Sequence, residues 1–362
     1  MTVLASEGVL GYGAQVAKGT LATTWYRHKA ANVAFGPQQA IQYFPPEVGG
    51  GFHPTGAFKQ MVFAGGTATV QPRLENVIGW LMHAVSGQHS VISGVPEAGV
   101  NRHRFRPPDN ANDMPWMSLR RYIPGSSNVQ TDVGEIMLDC RVAGVRFTLA
   151  PGQILSTSWT FQGREPDLAL DTGAGEAHAW SWSNSYETYQ SVPLAHQGSL
   201  KVPLDEAAKP STGLTVDIIN RYTTPGEELI IGSPYPDDFV LLNQSLVASW
   251  IYKWHNPTLY QRILTYGESA DANGYIDWSP IVYTDSMEFI ATSPANISGK
   301  SNPYRVRMFA PEITWQSDGP PTLVGGGWLA LRFIGTAVEQ TNPRDYFQLD
   351  LDNEVANYTW PS

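Results

Sequence analysis

Turn-formers interrupt this chain so often that only short elements fit between them: 34 glycines and 27 prolines are spread along 362 residues. Proline stops a helix interior and glycine weakens one, so long helices are excluded from most of the chain. Charged residues supply only 15% and aromatics 11%. Aromatic side chains joined by turn residues favour strands and loops over helices tiled with Lys and Glu. Apolar residues at 42% describe a folded globular chain. So little charge also points to a surface partly covered by neighbours.

One stretch escapes the rule. Leu74, Val77, Ile78, Leu81, Met82 and Val85 recur at the spacing of one helix face, with Pro72 before them and Gly87 after. A second, shorter helix is expected after Asn256-Pro257, with Leu259, Ile263 and Leu264 on its apolar side and Gly267 at its end. Elsewhere strands are expected. Phe58–Phe63 and Thr67–Val70 flank a turn at Ala64-Gly65-Gly66, and Ile136–Leu138 stands alone. Val142–Leu149 and Ile154–Phe161 form a hairpin around Ala150-Pro151-Gly152. Later strands are Asp238–Leu242, Leu246–Trp254, Tyr304–Phe309, Ile313–Trp315 and Trp328–Ile334, with a turn at Gly319-Pro320-Pro321.

Composition shifts over 164–213, which holds Asp171-Thr172-Gly173-Ala174-Gly175, the Trp180-Ser181-Trp182 cluster and Lys209-Pro210-Ser211-Thr212-Gly213. The expected organisation is a first β domain with an N-terminal arm over 1–168, a linker over 169–213, a second similar domain over 214–340, and a C-terminal arm over 341–362. Both halves run strand, strand, Pro-started helix closed by Gly, long polar stretch, late hairpin. Pro72…Gly87 then matches Pro257…Gly267, and Trp159–Gly163 matches Leu331–Gly335, at offsets of roughly 185 and 172 positions. The fold class expected is mainly β, a sandwich or half-barrel with one flanking helix, occurring twice in tandem.

Motifs for chemistry are missing. The histidines His28, His53, His83, His89, His103, His178, His196 and His255 show no metal-ligand spacing, and His83, beside the helix stripe, is expected to be solvated or capping. No nucleophile elbow or phosphate loop occurs, and the acidic pairs Glu227-Glu228 and Asp237-Asp238 sit in turn-rich stretches. Catalytic, cofactor and metal residues are accordingly expected to be none. The single cysteine, Cys140, excludes an intrachain disulfide and reads as a structural thiol in a reducing compartment. Start and interior lack the apolar runs of a signal peptide or a membrane span, so a protein folded in the cytoplasm is expected, and the sequons at Asn296 and Asn357 read as chance matches. The net charge of −10 has the wrong sign for gripping phosphates, and suits a surface along which DNA slides. Two basic pieces, Arg102–Arg106 and Arg120-Arg121, are expected to pair with acidic groups of a neighbouring subunit.

Three features together resemble the tail tube (major tail) proteins of long-tailed phages: the Glu7…Gly11-Tyr12-Gly13…Lys18-Gly19-Thr20 start, a β-rich unit with one helix on its sheet, and the Val145–Gly163 hairpin ending in strand plus glycine. The resemblance implies a non-enzymatic virion component, assembled in the host cytoplasm. Rings would join sheet to sheet and stack into a hollow tube around a tape measure protein. Tail terminator and distal tail proteins would sit at the ends, with DNA passing through unbound and no membrane partner. The usual subunit has one domain and six copies per ring, so a two-domain chain implies a pseudo-sixfold trimer. The long stretches 86–115 and 164–213 and the tail 336–362, acidic at Asp345, Asp350, Asp352 and Glu354, are expected to reach neighbouring subunits and to order on assembly. Two alternatives stay open. One is another virion structural protein, such as a tail terminator, distal tail or capsid-decorating component. The other is a carbohydrate-binding β-sandwich stacking sugars on Trp180 and Trp182.

Overall fold

The computed structural model of the protein describes residues 8–46, 53–54, 56–123, 133–170, 180–202, 211–253, 258–266, 271–276, 280–319, 329–339 and 346–361. In chain order the elements are β1 (Val9–Ala14), β2 (Tyr26–His28), β3 (Ala30–Tyr43), β4 (Ala57–Val70), α1 (Val77–Ser86), β5 (Gln88–Ser93), β6 (Asn101–Arg106), β7 (Met117–Ile123), β8 (Val133–Leu149), β9 (Ser156–Leu170), β10 (Gly198–Lys201), β11 (Ser211–Tyr222), β12 (Leu241–Lys253), α2 (Thr258–Thr265), β13 (Thr284–Asn296), β14 (Pro303–Ser317), β15 (Ala330–Ala337) and β16 (Gln348–Asn353). The chain is mainly β, as composition predicts, and every strand pair is antiparallel within one branched 16-stranded sheet. No helix among the described residues is long and apolar enough to cross a membrane.

Alternation of apolar and polar residues sets which side chains go inward. In β11, Leu214, Val216 and Ile218 are buried while their neighbours face outward; in β14, Tyr304, Val306, Met308 and Ala310 are. Helix α1 carries the expected stripe, with Val77, Ile78, Leu81, Met82 and Val85 fully buried. It starts later than Pro72 predicts, because a turn intervenes and the helix begins at Val77. Gly87 ends it at φ 102°, its N–H returning to the His83 carbonyl at 2.8 Å. The second helix also forms, over Thr258–Thr265, while Asn256, Pro257 and Gly267 lie outside the described residues.

Several expected breaks are absent. Ala64-Gly65-Gly66 is no turn: β4 runs straight through it, and Gly66 at φ 135° lets β3 come close. The 136–138 and 142–149 pieces are one strand, β8, bent at Asp139, whose φ is 51°. The 304–309 and 313–315 pieces are likewise one strand, β14. The stretch 86–115 is built from β5, β6 and a short 3-10 turn rather than a free loop. The tail folds back as β16 between β6 and β14. Of the expected linker, 171–179 and 203–210 fall outside the described residues, as do Trp254, Trp328, Pro320-Pro321 and Asp345.

One strand order occurs twice. The first series runs β3-β4-β9-β8-β7 and the second β11-β12-β15-β14-β13, each with a helix following its first hairpin. Register agrees as well: Gly163 stands opposite Ala64, and Gly335 opposite Ala248. The two series share one sheet, and a single hydrophobic cluster runs from Leu10 to Tyr358 through both. They join where β8 pairs β11, Gly144 through Leu149 against Ile219 through Leu214.

That junction depends on two residues. Asp139, fully buried, accepts from Gln15 Nε2 at 2.9 Å and the Gly19 N–H at 2.7 Å, and lies 3.0 Å from Arg164 Nε, so the bend is held from three sides. At Gly144 an added Cβ would stand 2.8 Å from the Ile218 carbonyl oxygen, so only glycine lets β11 approach. Replacing Gly144 by Val is expected to lower unfolding free energy by roughly 1–3 kcal/mol. The same change at Gly226, which has open space around it, should be close to neutral in the same urea titration.

Candidate functional site

Sheet edges are the most conspicuous exposed feature. The pairing network ends at β2, β3, β5 and β10. Of these, β3 is the longest, with 14 residues and no backbone partner on its outer side among the described residues. Beyond the last β4–β9 pair at Ala64, the β3–β4 ribbon keeps a backbone bond to the body, from the Val62 N–H to the Pro234 carbonyl at 2.8 Å. Its distal part exposes Ile41, Tyr43, Phe44 and Phe58, the last two with ring centroids 5.3 Å apart. Lys59 is the one charged residue in either strand. A long edge without charged gatekeepers is a template for pairing with another chain.

The counterpart edge in the second series is covered. By the matching registers, β3 from Phe35 to Ala40 corresponds to β11 from Leu214 to Ile219, and that stretch of β11 is hydrogen-bonded to β8. The same position is thus closed once inside the chain and open once at its surface.

Residues singled out by sequence turn out to act within the chain. Arg102, Arg104 and Arg106 do not wait for a neighbouring subunit. Two-residue spacing puts them on one face of β6, opposite Asp352, Asp350 and Gln348 of β16. Arg102 Nε lies 2.9 Å from Asp352 and Arg104 Nε 3.1 Å from Asp350. From the far side Arg305 Nε lies 2.9 Å from Asp352, and Arg307 Nη1 lies 3.1 Å from Asp350. Both aspartates are buried. The tail is therefore claimed by its own sheet, because two buried carboxylates need these four cations. The alternating Arg-x-Arg-x-Arg and Gln-x-Asp-x-Asp runs carry this pairing in the sequence, although nothing local says that they meet.

Arg121 likewise pairs with Glu135 at 2.6 Å, while Arg120 stacks over Trp25 and Trp180 with ring distances of 3.7 and 4.6 Å. Burial lowers the Arg120 pKa to about 10. Trp180 and Trp182 meet edge to face at 79°, half-buried, with Trp182 lying over Gly11. Both lie against the chain's own sheet, Trp180 beside Arg120 and Trp182 over Gly11. Glu227 accepts from the Thr224 N–H at 2.6 Å, and Asp237 and Asp238 hold Lys18 at 3.5 and 3.6 Å, so these acidic residues shape a loop. Cys140 is buried, with its thiol pKa pushed up by desolvation.

Two polar clusters escaped the sequence reading. His83 is buried rather than solvated: its Nδ1 lies 2.8 Å from the Tyr358 carbonyl. His89 Nε2 and His103 Nδ1 are 3.0 Å apart, and His103 Nε2 reaches the Val355 carbonyl at 2.9 Å. These rings clamp the segment after β16 onto α1 and β6. At the other end of α1, Glu187 accepts the Val77 N–H at 2.7 Å and lies 3.8 Å from His28 Nδ1. Both clusters join residues far apart in sequence, so no short motif marks them. Among the described residues, no three His, Cys, Asp or Glu side chains stand close enough to hold a metal ion.

Burial holds these groups neutral. It lowers His28 and His89 to about 3 and His83 and His103 to about 4, while desolvation raises Glu187 to about 8. In the unfolded chain His takes up its proton near 6.5, so stability present above that pH is lost on acidification toward pH 4. Glu187 acts oppositely: its contribution is full below about 4.5 and is lost as pH rises toward 8. Urea midpoints should therefore fall on both sides of a maximum, and Glu187→Gln should flatten the alkaline limb while leaving the acid limb in place.

No protein-family model matches the chain, and no curated protein matches it.

Proposed function

We propose that the protein is a structural subunit that completes its sheet with copies of itself, in the manner of phage tail tube proteins. The carrying observation is the repeated strand order with unequal edges: β11 is covered by β8 of the preceding series, while its counterpart β3 is uncovered. A contact of the kind that covers β11 within the chain is one that the open β3 edge can make with another copy. Repeated head to tail, it closes into a ring in which β3, the longest open edge, is paired. Two series per chain make three chains the natural count for a ring of six, which deepens the resemblance to tube subunits.

Charge and chemistry support the same reading. A net charge of −10 repels phosphates, which is what a conduit for DNA needs. Arg102, Arg104, Arg121, Asp350 and Asp352 are engaged in ion pairs within the fold, which suits a structural role. Rings stacked around a tape measure protein in a virion tail are the corresponding assembly.

Negative-stain electron microscopy of the purified protein tests this. Rings with threefold or sixfold class averages, or tubes of uniform width, are expected. Lys substitutions at Ala34 and Gln38 on β3 should reduce ring formation without lowering the melting temperature, since both side chains are exposed. A chain that stays monomeric at every concentration and salt overturns the reading.

A further inference from the structure

The segment that follows β16 lies outside the hydrogen-bond ladder of the sheet. Among the described residues, no backbone group of 355–361 pairs with another backbone group. Side chains hold this segment instead. Asn101 Nδ2 donates to the Val355 carbonyl at 2.8 Å, and His103 Nε2 donates to it at 2.9 Å. His83 Nδ1 donates to the Tyr358 carbonyl at 2.8 Å, and the Tyr358 hydroxyl donates to the Asn76 carbonyl at 2.8 Å. Trp360 Nε1 donates to the Trp116 carbonyl at 3.0 Å. A segment held without a ladder can leave the body without unzipping a strand, which makes it a unit of local opening.

Its anchor sits in a place shaped for it. Tyr358 is fully buried, and an added Cβ at Gly79 would strike its ring, so α1 is hollowed beneath it. Around that ring stand His103, with centroids 4.6 Å apart, Trp80 at 5.5 Å and His89 at 5.9 Å. Trp360 closes the group, 5.3 Å from His83 and 5.7 Å from Trp80.

The imidazole hydrogens follow from the acceptors. A carbonyl can only accept, so His103 carries its hydrogen on Nε2 and keeps Nδ1 as the acceptor for His89 Nε2–H, 3.0 Å away. A proton added at His103 Nδ1 would point two N–H groups at each other. His83 and His89 lie 5.5 Å apart, so one charge raises the cost of the next. The acids nearby are engaged elsewhere: Asp352 with Arg102 and Arg305, Glu354 with the Tyr304 hydroxyl at 3.2 Å, Glu75 with Thr188, and Glu187 with the Val77 N–H. Tyr26 of β2 stacks on Trp80, and burial raises its pKa, so it stays neutral in acid.

We propose that residues 354–361 form an acid-released strap: protonation of the His83, His89 and His103 trio frees them from α1 and β6 as a unit while the sheet stays folded. Burial holds the three rings uncharged at neutral pH, with values of about 4, 3 and 4 against about 6.5 for an exposed ring. Values lowered in the closed form mean that opening takes up protons. The closed strap is therefore favoured above about pH 6.5 and weakens as pH falls toward 4. Proton uptake by two of the three rings favours the open form about a hundredfold or more between pH 7 and pH 5. Release uncovers Trp80 and the Gly79 side of α1. The device works in a single chain and does not depend on ring formation.

Fluorine NMR of the full chain labelled with fluorotryptophan tests this, with resonances assigned from Trp360→Phe and Trp80→Phe. Between about pH 7 and pH 4, Trp360 should move to its free position in a reversible step. Over that step Trp159, Trp250 and Trp315, which are buried in the core, should keep their native resonances. His89→Gln removes one proton-binding ring and should make the step shallower. His103→Gln, whose amide can still donate to the Val355 carbonyl, should do the same. Asn101→Ala removes a bond to the strap but no titrating group, so its midpoint should rise in pH with the steepness unchanged. A Trp360 resonance that stays native to pH 4, or that moves only together with the core tryptophans, overturns the strap. So does a step equally steep in the wild type and both histidine variants.

Discussion

A strand has two hydrogen-bonding edges, and β8 must divide one of them between two partners. Its first half pairs β7 and its second half β11, while β9 takes the other edge along almost the whole length. The change of partner demands a bend, which Asp139 supplies by its left-handed backbone, and a close approach, which Gly144 permits. Because β11 opens the second series, the sheet is continuous only as long as this handover holds. The shared core follows from it, since Val145 and Phe147 of β8 and Val216 and Ile218 of β11 point into the same cluster.

The second closure is electrostatic. Strand β16 carries two buried aspartates between arginines of β6 and β14, so its place is specified by charge as well as by Leu349 and Leu351, which are fully buried. Removing one partner from such a set leaves an uncompensated charge, which costs far more than a surface pair contributes. Near this seam the three histidines and Tyr358 tie the following segment to α1, with Asn353 Nδ2 donating to the Leu74 carbonyl and the Tyr358 hydroxyl. Helix and seam are thus held by the same few residues.

What could be read in advance was what neighbours in sequence determine. The α1 stripe, its Gly87 stop and the β8–β9 hairpin around Ala150-Pro151-Gly152 are encoded within a dozen residues, and each formed. Strand continuity was harder. Gly65-Gly66 and Asp139 look like punctuation, yet in the sheet they permit close approach and bending within single strands. Hardest were β6 and β16, whose charges balance only across about 250 positions. For that reason Arg102–Arg106 read as an outward-facing patch and the tail as a free arm. The open β3 edge is invisible without topology, because its residues resemble those of any paired strand.

The β6–β16 seam also has a consequence for how the molecule comes into being. Arg102 and Asp352 are 250 residues apart. At ordinary ribosomal speeds of 5–20 residues per second, roughly 12 to 50 seconds pass between the synthesis of one strand and that of its mate. Through that interval the β5–β6 ribbon has no partner on its inner side, and three arginines hold its place in water. Positive charge on an unfinished border keeps nascent copies from zipping to one another there, until the aspartates emerge and cancel it.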